Sequence, residues 1–370
     1  MEHARGIGIL LVVYGHTSRG LMNAGVLPET PVLTLLDQAI YSFHMPLFFF
    51  LSGLFFLASI AKRGRVGFVL SKVDTLLYPY VLWSLLQGGL RVATAGSTNG
   101  GGVSAWDVLA LWRPIDQFWF LFGLFFVFLI AAVPFPRSWP PRTGVAALGL
   151  LVLLIYTTPL GVPLVWQELY VFPYLAYFVL AVACTLWVGR AVEPARGRSA
   201  ARRLRTLVAG WSEPALGWAL VGGGLLLLAA LAAACGDGLL GDRAAFSVDA
   251  RTLLVATAGV TITCGVARLT AAARVPLLAG FGALSMLIYV SHTLAASSLR
   301  ILLQKAAGLQ DPWLHLLFGL AVSLALPFAV DRFLPRSWVA ATLRAPRWLA
   351  TERLAARRTG DAGRPSPTGA

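Results

Sequence analysis

The sequence predicts an all-α integral membrane protein of about ten transmembrane helices, with the N- and C-termini cytoplasmic, and three observations lead there. Hydrophobic residues make up 58% of the 370, charged residues 12%, and the mean hydropathy is +0.74; a soluble domain carries about a quarter charged residues. The apolar residues fall in blocks of about twenty, the length that crosses a ~30 Å hydrocarbon core at 1.5 Å per residue. Of the 30 Lys and Arg, 23 fall on the side of the alternating loops that holds both termini, whereas the 16 Asp and Glu divide almost evenly. By the positive-inside rule that side is cytoplasmic.

The first predicted span covers residues 6–23. Tyr14, Gly15, His16 and Thr17 interrupt its apolar run and no small-residue cleavage site follows, so it reads as a retained span rather than a signal peptide. The next spans are expected over 40–60, 76–95, 118–133, 144–158, 170–188 and 216–234, and the last three over 252–266, 281–299 and 313–330. Only helices satisfy their backbone groups in lipid at this hydrophobicity, and the ten-residue alternation of a membrane barrel is missing. The tail, rich in Arg, Pro and Ala, predicts a surface helix near 338–358 followed by disorder. The expected division is therefore a membrane domain over 1–333 and a basic cytoplasmic tail over 334–370.

Several classes of function fall away. The net charge of +14 is spread as a topological bias, which suits anionic lipid and not nucleic acid. Cys184, Cys235 and Cys264 lie in or beside apolar blocks without metal-type spacing and read as packing residues. No Walker, Rossmann, zinc or H-E-x-x-H motif occurs, and no internal repeat of the inverted-repeat transporter kind is visible. A polytopic transporter with proton-relaying histidines is the competing class; Pro46 and Pro79 would serve as helix breaks but have no counterparts in the second half.

Chemistry concentrates in the histidines. Ionisable groups inside spans cost several kcal/mol and mark function, and three of the five histidines fall within predicted helices. His16 stands about ten residues into an outward-running span and His292 at nearly the same depth in another, while His44 begins an inward-running one. Arg5 precedes His16 by eleven residues, about three turns and ~16 Å along one helix face. That pairing suits a ligand with an anionic end and a reactive end some 16 Å apart, about the reach of a phosphopantetheine arm.

Five segments resemble the membrane-bound acyltransferase 3 family. Arg5-Gly-Ile-Gly-Ile-Leu-Leu-Val-Val-Tyr-Gly-His16 resembles its R-x10-H signature. Phe43-His44-Met45-Pro46 through Leu51-Ser52-Gly53 looks like the second-span motif in the form of the fucose 4-O-acetylase and exopolysaccharide O-acyltransferase branch. Leu77-Tyr78-Pro79-Tyr80 is similar to the opening of the third span, and Trp119-Phe120-Leu121 to the W-F-L motif of the fourth. Gly282-Ala283-Leu284-Ser285 through Ile288-Tyr289-Val290-Ser291-His292 resembles the late G-x-x-S-x-x-I-Y-x-x-H motif. Coverage runs from residue 2 to about 333, and one departure is Glu2, where the family often has Asp.

The resemblance implies an acyltransferase of the plasma (inner) membrane. It implies acyl-CoA, chiefly acetyl-CoA, as donor substrate, no tightly bound cofactor or metal, and a glycan or other hydroxyl acceptor. Arg5 is the expected holder of the coenzyme A phosphates, since a guanidinium fork suits phosphate oxygens. His16 is the expected general base, because imidazole titrates near working pH. Asp37, Asp116 and Glu168 are the carboxylates considered for orienting it. His44, Ser285, Tyr289 and His292 are expected to line the acceptor pocket or donate to the oxyanion. Trp119 and Trp166 are expected to stack on a sugar, with aromatic-belt anchoring as the competing role. Ser52 reads as a small packing residue more readily than as an acyl-enzyme nucleophile. A small metabolite such as a macrolide is the alternative acceptor.

Overall fold

Short polar side chains and prolines write most of the helix starts. Thr30 accepts a hydrogen bond from the Leu33 amide with Pro31 in the first turn, and Asp249 accepts one from the Thr252 amide at 2.8 Å. Ser104 and Asp107 close a reciprocal capping box, and Pro79, Pro276 and Pro312 each stand in a first turn. These groups occupy backbone donors that a helix start leaves unpaired, or remove one that had no partner.

The computed structural model describes residues 1–94, 104–136, 138–157, 171–192, 213–235, 249–346 and 348–351, with helices and no strand among them. It divides into two compact units, Met1–Leu57 with Pro141–Arg332, and Ala58–Pro140 with Phe333–Ala370. Among the described residues four helices are long and apolar enough to cross a membrane: Glu213–Cys235, Ala250–Ala272, Ser285–Lys305 and Pro312–Phe333. A fifth is added if Pro31–Gly53 is counted with the helices after it. The chain is thus an all-α membrane protein. Several predicted spans fall short by length or composition: α1 carries Glu2, His3, Arg5, His16 and Arg19 among its apolar residues.

In the first unit α1 (Glu2–Asn23) packs on α2 (Pro31–Gly53), and α8 (Val171–Val192) packs on both α2 and α7 (Pro141–Thr157). α9 (Glu213–Cys235) lies along α10 (Ala250–Ala272), and α11 (Pro276–Ala283), α12 (Ser285–Lys305) and α13 (Pro312–Phe333) complete the unit. Two boundaries differ from the sequence reading. α2 begins at Pro31 instead of residue 40, because the Thr30 cap and Pro31 start it early, so His44 lies in mid-helix. The span expected over 281–299 breaks at Leu284, which leaves α11 as a separate short helix.

Helix α1 is placed by two glycines. A Cβ on Gly6 would lie 3.0 Å from the Leu278 carbonyl carbon, and one on Gly282 would lie 2.6 Å from that of Glu2. The two helices therefore meet backbone to backbone, the contact that small residues permit in membranes. Gly53 serves the same purpose against α8, where a Cβ would fall 2.8 Å from the Ala181 Cβ. The Leu-Ser-Gly motif is thereby explained as packing. Below these crossings Ala4, Leu47, Leu51, Val260 and Ala267 form a buried cluster.

The second unit holds most of α3 (Phe56–Lys72), a widened π-type turn Val73–Leu77, α4 (Tyr78–Ala93), the short α5 (Ala105–Leu109), α6 (Trp119–Ala132) and α14 (Arg336–Leu343). Within the surface helix expected near 338–358, α14 ends at the extended Arg344 with Pro346 soon after it, and residues 352–370, with the disorder expected there, lie outside the described residues. The chain then folds back on the π-type turn. The buried Asp74 takes the Thr351 amide on Oδ1 at 3.0 Å, and its backbone carbonyl accepts the Ala345 amide at 2.9 Å. Tyr78 donates to the Ala341 carbonyl at 2.8 Å and the Trp83 indole to that of Thr342 at 3.0 Å. Asp74→Ala removes a charge-assisted bond, and trypsin is expected to cut after Arg344 several times faster than in wild type. An unchanged cleavage rate would show that Asp74 does not hold this segment.

Candidate active site

Three of the histidines come together. The His16 ring lies 5.2 Å from that of His292 and 6.3 Å from Tyr41, and Tyr41 stands edge-on to His44 at 4.6 Å (centroid distances). Each helix contributes residues at helical spacing, so each set shares a face: His16 and Arg19 on α1, Asp37, Tyr41 and His44 on α2, and Ser285, Tyr289 and His292 on α12. The Tyr289 ring is buried 6.3 Å from His292, with Ser285 one turn before it at the helix start.

Two of the histidines have their tautomers set by the backbone. His44 Nδ1 lies 2.8 Å from the Ile40 carbonyl oxygen, and His292 Nδ1 lies 2.8 Å from that of Tyr289 and 3.1 Å from that of Ile288. A carbonyl only accepts, so each neutral ring carries its proton on Nδ1 and presents Nε2 as an acceptor. In that tautomer Nε2 accepts, and a second proton on the ring would make it a donor. His292 is 0% exposed and its Nε2 has no hydrogen-bond partner among the described residues. An orphaned buried acceptor costs about 1–3 kcal/mol and calls for a donor. The His292 backbone is held from behind, where Ser323 donates to its carbonyl at 3.1 Å.

The two described carboxylates are engaged by arginines. Asp37 accepts two bonds of 2.7 Å from the Arg19 guanidinium and is not bonded to His16. Asp116 pairs with Arg91 in the second unit, and Glu168, like Trp166, lies outside the described residues. The His16 ring nitrogens have no hydrogen-bond partner among the described residues. Nor is any group of three or more His, Cys, Asp or Glu there placed to hold a metal ion.

Arg19 and Tyr41 are the residues that sequence reasoning missed. The Arg19 guanidinium sits 3.2 Å from the Tyr41 ring centroid while gripping Asp37. The signal was present in the spacings: Arg19 one turn beyond His16, and Asp37-x3-Tyr41-x2-His44 along one face. The cation–π contact and the fork together fix the ring that touches His44. Asp37→Asn is expected to slow turnover about tenfold. Its stability cost is about 1 kcal/mol or less, since the Arg19 side chain is 42% exposed. Arg19→Lys keeps the charge and loses the fork, so a fully active Arg19→Lys would remove the fork from the site.

The other expected residues are placed as follows. Arg5 lies on the same unbroken helix as His16, its Cζ 5.7 Å from the Phe55 ring centroid, and no acidic side chain pairs with it among the described residues. Trp119 opens α6 and belongs to the second unit.

The fold and these residues define a helical membrane protein with a cluster of imidazoles set among its packed helices. Residues 1–332 match the acyltransferase domain family (acyltransferase 3), and the chain belongs to that family: it is a membrane acyltransferase. A 132-residue stretch, 36% of the chain, is 28% identical to the nodulation protein NolL of Mesorhizobium japonicum and spans about a third (34%) of that relative's length. No solved structure matches the chain.

Proposed function

We propose that the protein is an O-acyltransferase of the inner (plasma) membrane that moves an acyl group, acetyl first among them, from cytoplasmic acyl-CoA to a hydroxyl of a cell-envelope sugar or lipid-linked glycan. The observation that carries this reading is the His16 ring 5.2 Å from that of His292, whose Nε2 has no hydrogen-bond partner among the described residues, with Arg5 in the first turn of the His16 helix. Ten spans with both termini cytoplasmic put Arg5 at the cytoplasmic mouth, where the coenzyme A phosphates arrive. Eleven residues along α1 carry the thioester ~16 Å to His16.

The chemistry follows from these positions. The acceptor oxygen attacks the thioester carbonyl carbon as its proton passes to His16. The tetrahedral intermediate then collapses with cleavage of the C–S bond, and the imidazolium returns the proton to the leaving sulfur. His292 Nε2 accepts a hydrogen bond from the acceptor and holds the sugar against His16. His44, edge-on to Tyr41, is assigned to the acceptor with Tyr289 and Ser285, and Trp119 to a sugar face.

Detergent-purified protein is expected to transfer label from radiolabelled acetyl-CoA to envelope glycan. Mass spectrometry of glycans and secreted metabolites from a deletion strain is expected to show the loss of one O-acyl group. Protein that neither binds coenzyme A nor transfers label, yet moves a solute across vesicles, would overturn the proposal in favour of a transporter.

A further inference from the structure

The loop between α4 and α6 carries a second feature, separate from the histidines. Trp106, Asp107, Trp112, Arg113 and Ile115 line a cavity of about 380 Å³ within the second unit, in the size range of small-molecule sites. The two indoles meet nearly at a right angle, 74°, with centroids 6.2 Å apart, and form two walls of a corner. They are 69% and 58% exposed, so the hydrophobic core does not account for them.

Residues 104–118 are tied to α4 at several points. Tyr80 donates to the Leu111 carbonyl at 2.6 Å, and Val108 fills the space a Cβ on Gly88 would need. Gln117 donates to Gln87 at 3.1 Å, and the Arg91–Asp116 pair holds Asp116 at φ 45°, a conformation that costs a non-glycine residue energy. The corner is therefore preformed, and a preformed site spends little entropy on binding.

Its polar groups stand ready. Asp107 uses Oδ2 for the Ser104 cap, which leaves Oδ1 able to accept, and the Ser104 hydroxyl and amide hold its carboxyl below the usual carboxylate range. The Arg113 amide donates to the Ala110 carbonyl at 2.8 Å, and its guanidinium makes no hydrogen bond or ion pair among the described residues. A pyranose has an apolar C–H face and a rim of hydroxyls. The indole faces carry the negative quadrupole that attracts the former, while a carboxylate and a guanidinium serve the latter.

We infer that this corner is a saccharide subsite in which Trp106 and Trp112 take the faces of a pyranose unit while Asp107 and Arg113 bind its hydroxyls. It rests on the acyltransferase reading only for the role of that sugar, a unit of the acceptor glycan away from the acylated hydroxyl. Interfacial tryptophans that merely anchor the protein in lipid have no use for a cavity or for two opposite charges at its rim.

Saturation-transfer difference NMR on the full chain in nanodiscs, with cellotetraose, laminaritetraose and chitotetraose and no acyl donor, tests the subsite alone. At least one tetrasaccharide is expected to bind, with affinity weakened tenfold or more by Trp112→Ala and Trp106→Ala and severalfold by Arg113→Gln. Thermal melting of each variant checks its fold, and Trp112→Phe serves if Trp112→Ala melts early. No saturation transfer from any of the three overturns the subsite. So does binding that survives all the substitutions, including the case in which they alter only partition into lipid. Radiolabel transfer from acetyl-CoA reads the histidine cluster independently, so the two proposals fail separately.

Discussion

His16→Gln is expected to lower the rate of acyl transfer about a thousandfold, the middle of the range for a lost general base. Glutamine keeps a polar side chain of similar reach and cannot take a proton from a hydroxyl. The KM for acyl-CoA should change little, since the donor is held by Arg5 three turns away, whereas Arg5→Ala should raise that KM with a smaller effect on turnover. The neighbourhood sharpens the expectation. Asp37 is bonded through both oxygens to Arg19, and the neutral His44 and His292 rings commit their N–H to carbonyls. His44→Gln and His292→Gln should therefore cost less than His16→Gln. Full transfer by a folded His16→Gln protein would sink the mechanism, and equal losses at all three positions would mean that they act as one unit.

Gly282→Ala is expected to cost about 3 kcal/mol or more, the upper end for an overpacked site. The added methyl would lie 2.6 Å from the Glu2 carbonyl carbon and 2.8 Å from its Cα. These are backbone atoms, which cannot swing aside as a side-chain tip can. Helix α1 would have to move away from α11 and carry Arg5 with it, so the variant should melt early and elute as aggregate. Any surviving protein should bind acyl-CoA poorly. Gly6→Ala meets the Leu278 carbonyl from the opposite helix and should behave alike, whereas Gly223→Ala, with no atom within 4 Å of its Cβ, should be silent. A Gly282→Ala protein with wild-type melting would show that α1 and α11 do not cross so closely.

These two expectations differ in how readable they were. Arg5 and His16 stand on one helix, so the rise per residue alone gives their separation, and a continuous α1 preserves it. Gly6 and Gly282 are 276 positions apart. Each lies in a segment resembling a family motif, yet nothing local in the sequence says that they face each other. The break at Leu284 was equally hidden, because an apolar run looks alike whether it forms one helix or two.

The sequence by itself determined that the chain belongs in lipid, that its elements are helices, and that three imidazoles lie within them. Those properties depend on composition and on a period of 3.6 residues, which neighbours along the chain carry. Only the tertiary structure decided that Asp37 binds Arg19 and not His16, and that Arg19 caps Tyr41. It also decided that the His292 Nε2 has no hydrogen-bond partner among the described residues and that Asp74 grips the segment around Thr351. The physical reason is that a side chain's partner is chosen by the register and rotation of one helix against another. These follow from where small residues let backbones meet, and that is a property of pairs of distant segments.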